Sequence, residues 1–304
     1  MKLAEEMNDK DTLISIIVIT YNSAQFVLET LESIKYQDYN NIELIITDDC
    51  SKDNTVELCK NWASENKERF TCLQILTVEK NTGIPSNCNR GLKAANGLWI
   101  KYIAGDDALK TNCITTNYNY VIENKTIEIL QTKSDVYNDV LINEQFIGTL
   151  PAVKSHHFFD ASFKEQYRML FRRNYVAAPS MFLNRKVVLN VGGFDEDFKS
   201  FEDITMWLNL TKVGHKIYFL NVATVNYRIH IDSVSKQSKP NMAASFAEEL
   251  LRFRRKYSAK ESTILFRIKY TLRLKLIIYL DKMGFNNKSV LSKYLYKLVN
   301  LLNK

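Results

Sequence analysis

The stretch LISIIVITYN, residues 13–22, decides the fold class of this chain. Up to Ile19 its side chains are almost all aliphatic or β-branched, which is typical of a strand buried on both faces of a parallel sheet. Apolar side chains then recur at helical spacing at Val27, Leu31 and Ile34, and a second apolar run spans 42–46. This order predicts a β-α-β unit.

The alternation of helices and strands continues beyond this unit. The further elements that we predict are helices over 53–62 and 85–95 and strands over 73–78 and 98–103. We therefore expect an α/β domain with a mostly parallel, Rossmann-like sheet flanked by helices. After residue 112 the pattern weakens to a helix over 113–124, a strand over 127–132 and loops up to residue 157.

The charge of the chain is unevenly distributed. The 304 residues carry a formal net charge of +7, but residues 251–304 contain 14 Lys or Arg and only two acids, Glu261 and Asp281. That segment has a net charge of +12, which leaves −5 for the first 250 residues. Its cations are interleaved with Leu, Ile, Tyr and Phe, a composition that suits an anionic membrane surface or a nucleic acid. A solvated helical face is the plain alternative.

We predict three regions: a polar N-terminal extension over 1–12, one large domain over 13–240 and a basic C-terminal segment over 241–304. Residues 266–276 alternate apolar and polar side chains, which formally favours a strand, whereas their Leu, Lys and Arg content favours a helix. We predict a helix. Four basic residues interrupt the apolar stretch 264–280, so we do not expect it to span a membrane.

Cysteine spacing and the N-terminus bear on the compartment. The five cysteines show no C-x-x-C spacing, which indicates neither a disulfide framework nor a zinc site. The start, MKLAEEMNDKDT, lacks the apolar core of a signal peptide. We expect a cytoplasmic protein, and the basic segment favours peripheral contact with the anionic inner face of the cell membrane.

Three acidic stretches are candidates for chemistry. They are TDDCSKDNT (47–55), YIAGDD (102–107) and SFEDITMW (200–207). Ligands of parallel sheets bind beyond the carboxyl ends of the strands. The residues that directly follow predicted strands, and that we expect to converge on one cleft, are Tyr21, Asp48, Asp49, Asp106 and Asp107.

These stretches and their surroundings resemble the inverting glycosyltransferases of family 2, which have the GT-A fold. The matching segments, in the family's order, are SIIVITYN (15–22), ELIITDDCSKDNT (43–55), EKNTGIPSNCNRG (79–91), YIAGDD, GGFDEDF (192–198), FEDITMWLNL (201–210) and YRIHIDSVS (227–235). The resemblance covers residues 13–235 and makes 13–240 a GT-A glycosyltransferase domain. It implies transfer of a sugar from a nucleotide-sugar donor, expected to be a UDP-sugar, to a hydroxyl of a glycan or polyprenyl-linked acceptor of a bacterial surface polysaccharide.

The resemblance also implies a nucleotide site. Thr20, Tyr21 and Asn22 would border the nucleotide, with the ring of Tyr21 packed on the base; a tyrosine that merely lines the cleft is the alternative. Asp49 would accept the imino N–H of uracil or thymine, and Asp48 would support the loop.

Both acids could instead cap the following helix. Asn81 and Gly83 would begin a loop beside the nucleotide, with Asn89 and Gly91 serving packing.

The metal motif of the family falls on Asp106 and Asp107, whose oxygens suit Mn²⁺ or Mg²⁺. Ala104 replaces the first acid of the common D-x-D-D form. The resemblance favours Asp107 as direct ligand, with Asp106 acting through water or the ribose, and His230 is a candidate third ligand. Arg228 could contact phosphate or form a structural ion pair, and the sequence leaves both open.

The family's general base corresponds to Asp203, with Glu202 in support; a helix cap is the plain alternative. Inverting transfer needs a carboxylate that takes the proton of the acceptor hydroxyl. Two further departures, Ile19 where proline is usual and Cys50 where glycine is usual, remove no expected functional group.

Other functions fit less well. A nucleotidyltransferase would be expected to carry a glycine-rich basic loop after the first strand, and ITYNSAQF is not one. A non-catalytic glycan-binding protein stays open because Ala104 thins the metal motif. A nucleic-acid partner is not expected, because the basic segment contains no recognisable reading motif.

Overall fold

The computed structural model describes residues 12–231, 233, 242–257 and 264–301. These form two compact units, one that ends at Ile229 and one that begins at His230. The predicted extension over 1–12 lies outside the described residues except for Thr12, and the predicted boundary at residue 240 also lies outside them. Both stay predictions.

The described part of the first unit contains one mixed sheet of nine strands. Its strands are β1 (Ile14–Thr20), β2 (Ile42–Asp48), β3 (Cys72–Thr77), β4 (Trp99–Ala104), β5 (Ala108–Leu109), β6 (Ile129–Asn138), β7 (Phe146–Leu150), β8 (Met181–Asn184) and β9 (Tyr218–Ile229). The spatial order is β3-β2-β1-β4-β8-β6-β9-β5, and β7 pairs with β6.

Helices flank this sheet and form the second unit. In the first unit they are α1 (Val27–Lys35), α2 (Thr55–Asn66), α3 (Ile84–Ala94), α4 (Cys113–Glu123), α5 (His157–Asp160), α6 (Phe163–Leu170), α7 (Arg185–Asn190) and α8 (Glu202–Lys212). In the second unit they are α9 (Ala244–Tyr257), α10 (Ile264–Lys282) and α11 (Val290–Asn300). The predicted α/β class, the helical flanks and the helical C-terminal segment are confirmed.

The parallel half of the sheet places the predicted site residues at one edge. Strands β3, β2, β1 and β4 are parallel neighbours, in the register that pairs Thr20 with Asp48 and Ile19 with Ala104. The sequence of β1 is almost continuously apolar because its side chains point alternately to the two faces of the sheet and both faces are buried. The carboxyl ends of β1, β2 and β4 therefore lie side by side.

The rest of the sheet is mixed. Strand β8 runs antiparallel to both β4 and β6, whereas the long β9 runs parallel to β6 and antiparallel to β5. The last residues of β9 thus come beside Ala108, directly after the predicted metal motif. This pairing brings a segment from late in the chain to the same edge as β1, β2 and β4.

The second unit is built on a helical apolar spacing. Leu274, Ile277 and Leu280 are buried and share a small core with side chains of α9 and α11. Their spacing of three residues fits a helix face, which is why α10 is helical although its sequence partly alternates. Among the described residues, no helix is both long and apolar enough to cross a bilayer.

Candidate active site

The end of β1 is joined to the loop after β2 by buried hydrogen bonds. The Thr20 hydroxyl donates to the Asp48 carboxylate at 2.8 Å. Asp48 also accepts from the backbone N–H and the hydroxyl of Ser51, at 2.8 and 2.5 Å. Because Asp48 is almost fully buried and its oxygens are used within the protein, it fixes the loop.

Asp49 is anchored to the start of α3. Its carboxylate accepts from the hydroxyl of Thr82 at 2.5 Å, from the N–H of Gly83 at 2.6 Å and from the guanidinium of Arg90 at 3.2 Å. Burial raises the pKa of Asp49, but these hydrogen bonds together outweigh it and bring the pKa below its ordinary value. Asp49 is therefore an ionised group that fixes the loop before α3 through the N–H groups of Thr82 and Gly83. Its contact with a nucleobase stays a prediction.

The residues that follow β1 and precede α3 contribute to the site in different ways. Tyr21 has 49% of its surface exposed directly after β1, so its ring is available for stacking. Asn81 is exposed in the loop before α3. Gly83 has a φ of 94°, a backbone conformation that favours glycine, and this turns the chain so that its N–H points to Asp49.

Asn22 links two loops. Its backbone N–H donates to the hydroxyl of Ser51 at 2.8 Å, and its side-chain oxygen accepts from the N–H of Lys52 at 2.7 Å. Asn22 thus bonds the loop after β1 to the loop after β2 in both directions, and the N–H groups of Ser23 and Ala24 add bonds to Thr55 and Asp53.

The predicted metal motif lies on a tight turn after β4. Gly105 donates its N–H to the carbonyl of Ile19, and a Cβ at this position would approach Thr20 to 2.9 Å. Only glycine lets the turn come this close to β1. Of the two acids that follow, Asp106 is partly exposed, whereas Asp107 has only 1% of its surface exposed.

Asp107 is held inside the protein. One carboxylate oxygen accepts from the backbone N–H of Arg228 at 2.9 Å, and the other has no hydrogen-bond partner. Burial and the neighbouring charge of Asp106 raise the pKa of Asp107 well above its ordinary value. The carbonyl of Asp107 accepts from the hydroxyl of Thr30 on α1 at 2.6 Å, which fixes the turn from a second side.

Arg228 acts as a structural clamp. Its guanidinium donates to the carbonyls of Asp106 and Asp139 at 2.7 and 2.5 Å, pairs with the carboxylate of Glu29 and lies 4.4 Å from the ring centroid of Phe26. Only 3% of Arg228 is exposed. Of the two roles that the sequence left open, the structure shows the ion pair.

The residues of this turn fit a divalent ion only in part. Among the described residues, no group of three or more His, Cys, Asp or Glu could hold a metal ion. Mg²⁺ and similar ions, however, are commonly held by one or two carboxylates together with substrate phosphates. The partly exposed Asp106 and the unpartnered oxygen of Asp107 supply such a minimal set.

His230 belongs to the second unit. Its backbone N–H donates to the hydroxyl of Ser233 at 2.9 Å, and its carbonyl accepts from the N–H of Ser233 at 3.1 Å. These bonds form a local turn. A ligand role for its ring stays a prediction.

Asp203 lies in the first turn of α8. One of its oxygens accepts from the side-chain amide of Asn174 at 2.6 Å, and the other accepts from the N–H of Ile204 at 2.6 Å. Burial raises the pKa of Asp203 above its ordinary value, and these two bonds only partly offset that effect. Asp203 is half-buried, and a carboxylate with a raised pKa is a stronger base than one with an ordinary pKa.

The segment before α8 is fixed to α3. The side chain of Asn89 donates to the carbonyl of Phe194 and accepts its N–H, at 2.9 and 2.8 Å, and also donates to Glu196 at 2.8 Å. Glu202 begins α8. Burial raises the pKa of the Cys88 thiol on α3, and the charge of Glu202 adds to that effect. Asn89 therefore connects the GGFDEDF segment to the nucleotide side of the domain.

Three residues with roles in this site were not singled out from the sequence. Arg90 donates to both Asn87 and Asp49, Thr82 donates to Asp49, and Asn174 orients Asp203. Arg90 lies inside the quoted segment EKNTGIPSNCNRG and carried a weak signal. Nothing in FRRNYVA, around Asn174, marks this residue.

Comparison with known proteins decides the family. The sequence model of the family described as Glycosyl transferase family 2 matches residues 15–192. This chain belongs to that family. The match confirms the resemblance that the sequence motifs indicated, and this protein is a glycosyltransferase.

One curated relative and two solved structures extend the comparison. The relative, from Escherichia coli, is UDP-Glc:alpha-D-GlcNAc-diphosphoundecaprenol beta-1,3-glucosyltransferase WfaP, which is 28% identical over 225 residues, 73% of this chain and 80% of WfaP. The structure of S. aureus TarS 1-349 in complex with UDP-GlcNAc has a TM-score of 0.63 at 17% identity and covers 94% of this chain and 79% of TarS.

The second structure is the mannosyltransferase PcManGT from Pyrobaculum calidifontis in complex with GDP-Man and Mn²⁺, with a TM-score of 0.57 at 15% identity. It covers 95% of this chain and 73% of that protein. At these identities the two structures support the GT-A fold of this glycosyltransferase.

Proposed function

We propose that this glycosyltransferase transfers a sugar, with inversion at the anomeric carbon, from a UDP-sugar to a hydroxyl of a lipid-diphosphate-linked glycan. The observation that carries the proposal is the arrangement at Asp203. A half-buried carboxylate with a raised pKa is oriented by Asn174 at the start of α8, which suits a general base that an acceptor hydroxyl can reach. WfaP acts on a UDP-linked donor and a diphosphoundecaprenol acceptor, and this supports the substrate classes.

In this mechanism Asp203 takes the proton of the acceptor hydroxyl as its oxygen attacks the anomeric carbon. The bond from that carbon to the diphosphate oxygen breaks on the opposite face, so the product has inverted configuration. Asn174 holds one oxygen of Asp203 at 2.6 Å, which keeps the carboxylate in one orientation throughout. Glu202, one residue earlier on the same helix turn, supports the base electrostatically.

The nucleotide would lie across the carboxyl ends of β1 and β2. The exposed ring of Tyr21 offers a stacking surface for the base, worth about 1–3 kcal/mol by analogy with base stacking on aromatic side chains. Asp49 and its hydrogen-bonded partners Thr82 and Gly83 form the wall beside it. The imino N–H of uracil would share a carboxylate oxygen of Asp49 with the donors that already hold this residue, Thr82, Gly83 and Arg90.

The turn after β4 would hold Mn²⁺ or Mg²⁺. When bound, the ion would neutralise the negative charge of the departing nucleoside diphosphate. The sequence favoured Asp107 as direct ligand, but burial favours Asp106, because a ligand oxygen must reach the diphosphate in the cleft. We assign the first contact to Asp106; the unpartnered oxygen of Asp107 would be the second ligand, and His230 is a further candidate. The Mn²⁺ in PcManGT supports the choice of ion.

The acceptor class sets the location. A polyprenyl diphosphate anchors its glycan in a bilayer, so the enzyme would work in the cytoplasm at the inner face of the cell membrane, in the synthesis of a surface polysaccharide. The +12 charge of residues 251–304 supports peripheral contact with that anionic surface.

The test compares Asp203→Asn with wild type, with Asp160→Asn as a control at an exposed acid of α5. A panel of nucleotide sugars and a detergent-solubilised lipid-diphosphate glycan are incubated with each protein, and products are identified by mass spectrometry. We expect Asp203→Asn to lose transfer by at least about a hundredfold while it still binds UDP. Retained turnover in Asp203→Asn would exclude it as the base. The configuration of the new linkage, read by NMR, tests inversion.

A further inference from the structure

Helix α10 carries an exposed apolar row on the side opposite its core. The exposed members are Ile268, Leu272 and Tyr279, and Met283 continues the row past the helix end. Spacings of four and seven residues place them on one face, because an α-helix has 3.6 residues per turn. The buried side chains of this helix, which point to the core shared with α9 and α11, are Leu274, Ile277 and Leu280.

Helix α11 has a second row of the same kind. Its exposed apolar side chains are Val290, Leu291, Tyr294 and Leu298, followed by Leu301. The side chains buried on its other face are Ser292, Tyr296 and Val299. The two helices pack on each other, and Arg273 of α10 donates to the side chain of Asn300 of α11 at 2.9 Å. We call these two rows the α10–α11 face.

Cations accompany both rows. Lys275 is exposed between Leu272 and Tyr279 on α10, and Lys293 and Lys297 are exposed along one edge of the row on α11. Across the two helices, seven Lys or Arg stand against a single acid, Asp281. The carboxylate of Asp281 accepts from the N–H of Ala244 at 2.6 Å, so it is directed toward α9.

The exposed apolar rows and the lysines together indicate which kind of partner could cover the α10–α11 face. Two rows of exposed Leu, Ile, Val, Met and Tyr side chains are more than solvent exposure alone would favour. A second copy of the chain would bring like charges together, since the lysines of one face would meet those of the other. An anionic bilayer surface accommodates both features: apolar side chains enter the boundary between headgroups and acyl chains, and lysines attract lipid phosphates.

We propose that the α10–α11 face binds the surface of an anionic lipid bilayer without crossing it. Its purpose rests on the proposed function, because an acceptor anchored in a bilayer is reached by an enzyme that stays on the bilayer. The binding itself depends only on the side chains of α10 and α11. It can therefore be measured without donor or acceptor.

The experiment measures partitioning of the full chain onto phosphatidylcholine vesicles and onto vesicles rich in phosphatidylglycerol. We expect binding to the second kind and little to the first. The variant with Lys275→Gln, Lys293→Gln and Lys297→Gln should lower the partition coefficient about a hundredfold, at about fivefold for each lysine removed. Raising the salt concentration should weaken wild type more than this variant.

The apolar part is tested with Leu272→Ser and Leu298→Ser together. Their side chains are 48% and 45% exposed, so the change should leave folding intact, and Leu98→Ser is the matched control because Leu98, at the opposite end of β4 from the site, is 46% exposed. We expect the double variant to lose vesicle binding at least about tenfold and the control to bind like wild type. Circular dichroism checks the fold of each variant.

Four outcomes would overturn the proposal. The first is that wild type does not bind anionic vesicles, and the second is that the double variant binds them like wild type. The third is that wild type is a dimer in sedimentation velocity and the double variant is a monomer. The fourth is that duplex DNA binds in place of vesicles. Transfer to the detergent-solubilised acceptor is assayed alongside. Transfer without vesicle binding refutes this proposal alone, and vesicle binding without transfer refutes the proposed function alone.

Discussion

Arg228 should contribute more to the stability of the first unit through the carbonyls that it holds than through its ion pair. Its guanidinium donates to the carbonyls of Asp106 and Asp139 and is almost fully buried. Each of these charge-assisted bonds is worth about 1.5–3 kcal/mol. The carboxylate of Glu29 is 52% exposed, so its pair with Arg228 is screened by solvent and contributes about 0–1 kcal/mol. The contact with the ring of Phe26 adds about 1 kcal/mol.

Three substitutions separate these contributions. Arg228→Met removes the two carbonyl bonds and the ring contact, which should lower the free energy of unfolding by about 4–7 kcal/mol, and also the ion pair, which contributes about 0–1 kcal/mol. Arg228→Lys keeps the charge but cannot span both carbonyls, and should cost about 2–3 kcal/mol. Glu29→Gln removes only the charge of the exposed partner and should cost less than about 1 kcal/mol.

Urea unfolding followed by tryptophan fluorescence is the appropriate assay. The three tryptophans of the chain are Trp62, Trp99 and Trp207, and all of them lie in the first unit. The signal therefore reports the unit that contains Arg228 and is not mixed with unfolding of the helices α9 to α11. Because about 4–7 kcal/mol is a large part of a typical stability, Arg228→Met is measured at low temperature.

A functional measurement accompanies the stability series. Arg228 holds the carbonyl of Asp106, so Arg228→Lys should raise the Mn²⁺ concentration needed for UDP binding about 10–100-fold, as expected for a residue that orients a ligand. Glu29→Gln should leave it within about twofold. If Glu29→Gln destabilised the unit as much as Arg228→Met, or if Arg228→Lys matched wild type in both measurements, the account of Arg228 as a carbonyl clamp would be refuted.

Three further expectations concern the site. Asp203 must be ionised to act as base, so kcat/KM should fall as the pH drops through its raised pKa. Asn174→Ala removes a donor that favours the ionised form and should move this fall to higher pH. A lower rate with an unchanged pH dependence would count against the orienting role of Asn174. Asp106→Ala should abolish Mn²⁺-dependent UDP binding measured by calorimetry, and Asp107→Asn should retain part of it; the reverse result would support the assignment made from the sequence. The pKa of Asp49 is lowered in the folded state, so its ionised form adds stability above its ordinary pKa of 3.8, and that stability is lost as the pH falls through the lowered value. Asp49→Asn should cost about 1–3 kcal/mol at neutral pH, with a difference from wild type that shrinks in acid; a pH-independent difference in the urea midpoint would contradict this.

The parallel half of the fold was predictable because its burial leaves a clear pattern. Strands β1 and β2 are covered on both faces and read as continuous apolar runs, and the helices between them keep an apolar spacing. The predicted and observed bounds of these elements differ by a few residues at their ends. The GT-A resemblance rested on the same segments and was confirmed by the family match.

The mixed half was not predictable in the same way, because its strands have polar or half-exposed side chains. Strand β9 alternates irregularly between exposed and buried positions, so neither its length nor its pairing with β5 and β6 follows from periodicity. Gln131 on β6 and Lys101 on β4 are fully buried polar residues inside the sheet. Such residues interrupt the apolar pattern from which a strand is predicted. The partners of these strands are far apart in sequence.

Some residues of the site could be predicted from the sequence and others could not. Asp203 was named as the base because it stands at the position of the general base in the family that the motifs resemble. Its partner Asn174 lies 29 residues earlier in a loop, and a single asparagine there has no local signature. The exposure of Asp106 and the burial of Asp107 also depend on β9, which the sequence did not bring beside them.

The connection made by Asn22 has a consequence for protein engineering. Its N–H reaches Ser51 and its side-chain oxygen receives the N–H of Lys52, so the loops after β1 and β2 form one hydrogen-bonded substructure. A chimera that imports only the loop after β1 would lose the acceptor oxygen of Asn22, and one that imports only the loop after β2 would lose the hydroxyl of Ser51. Altered base preference should therefore be sought by grafting the two loops as a pair, and single-loop grafts should yield enzymes with weakened binding of every nucleotide.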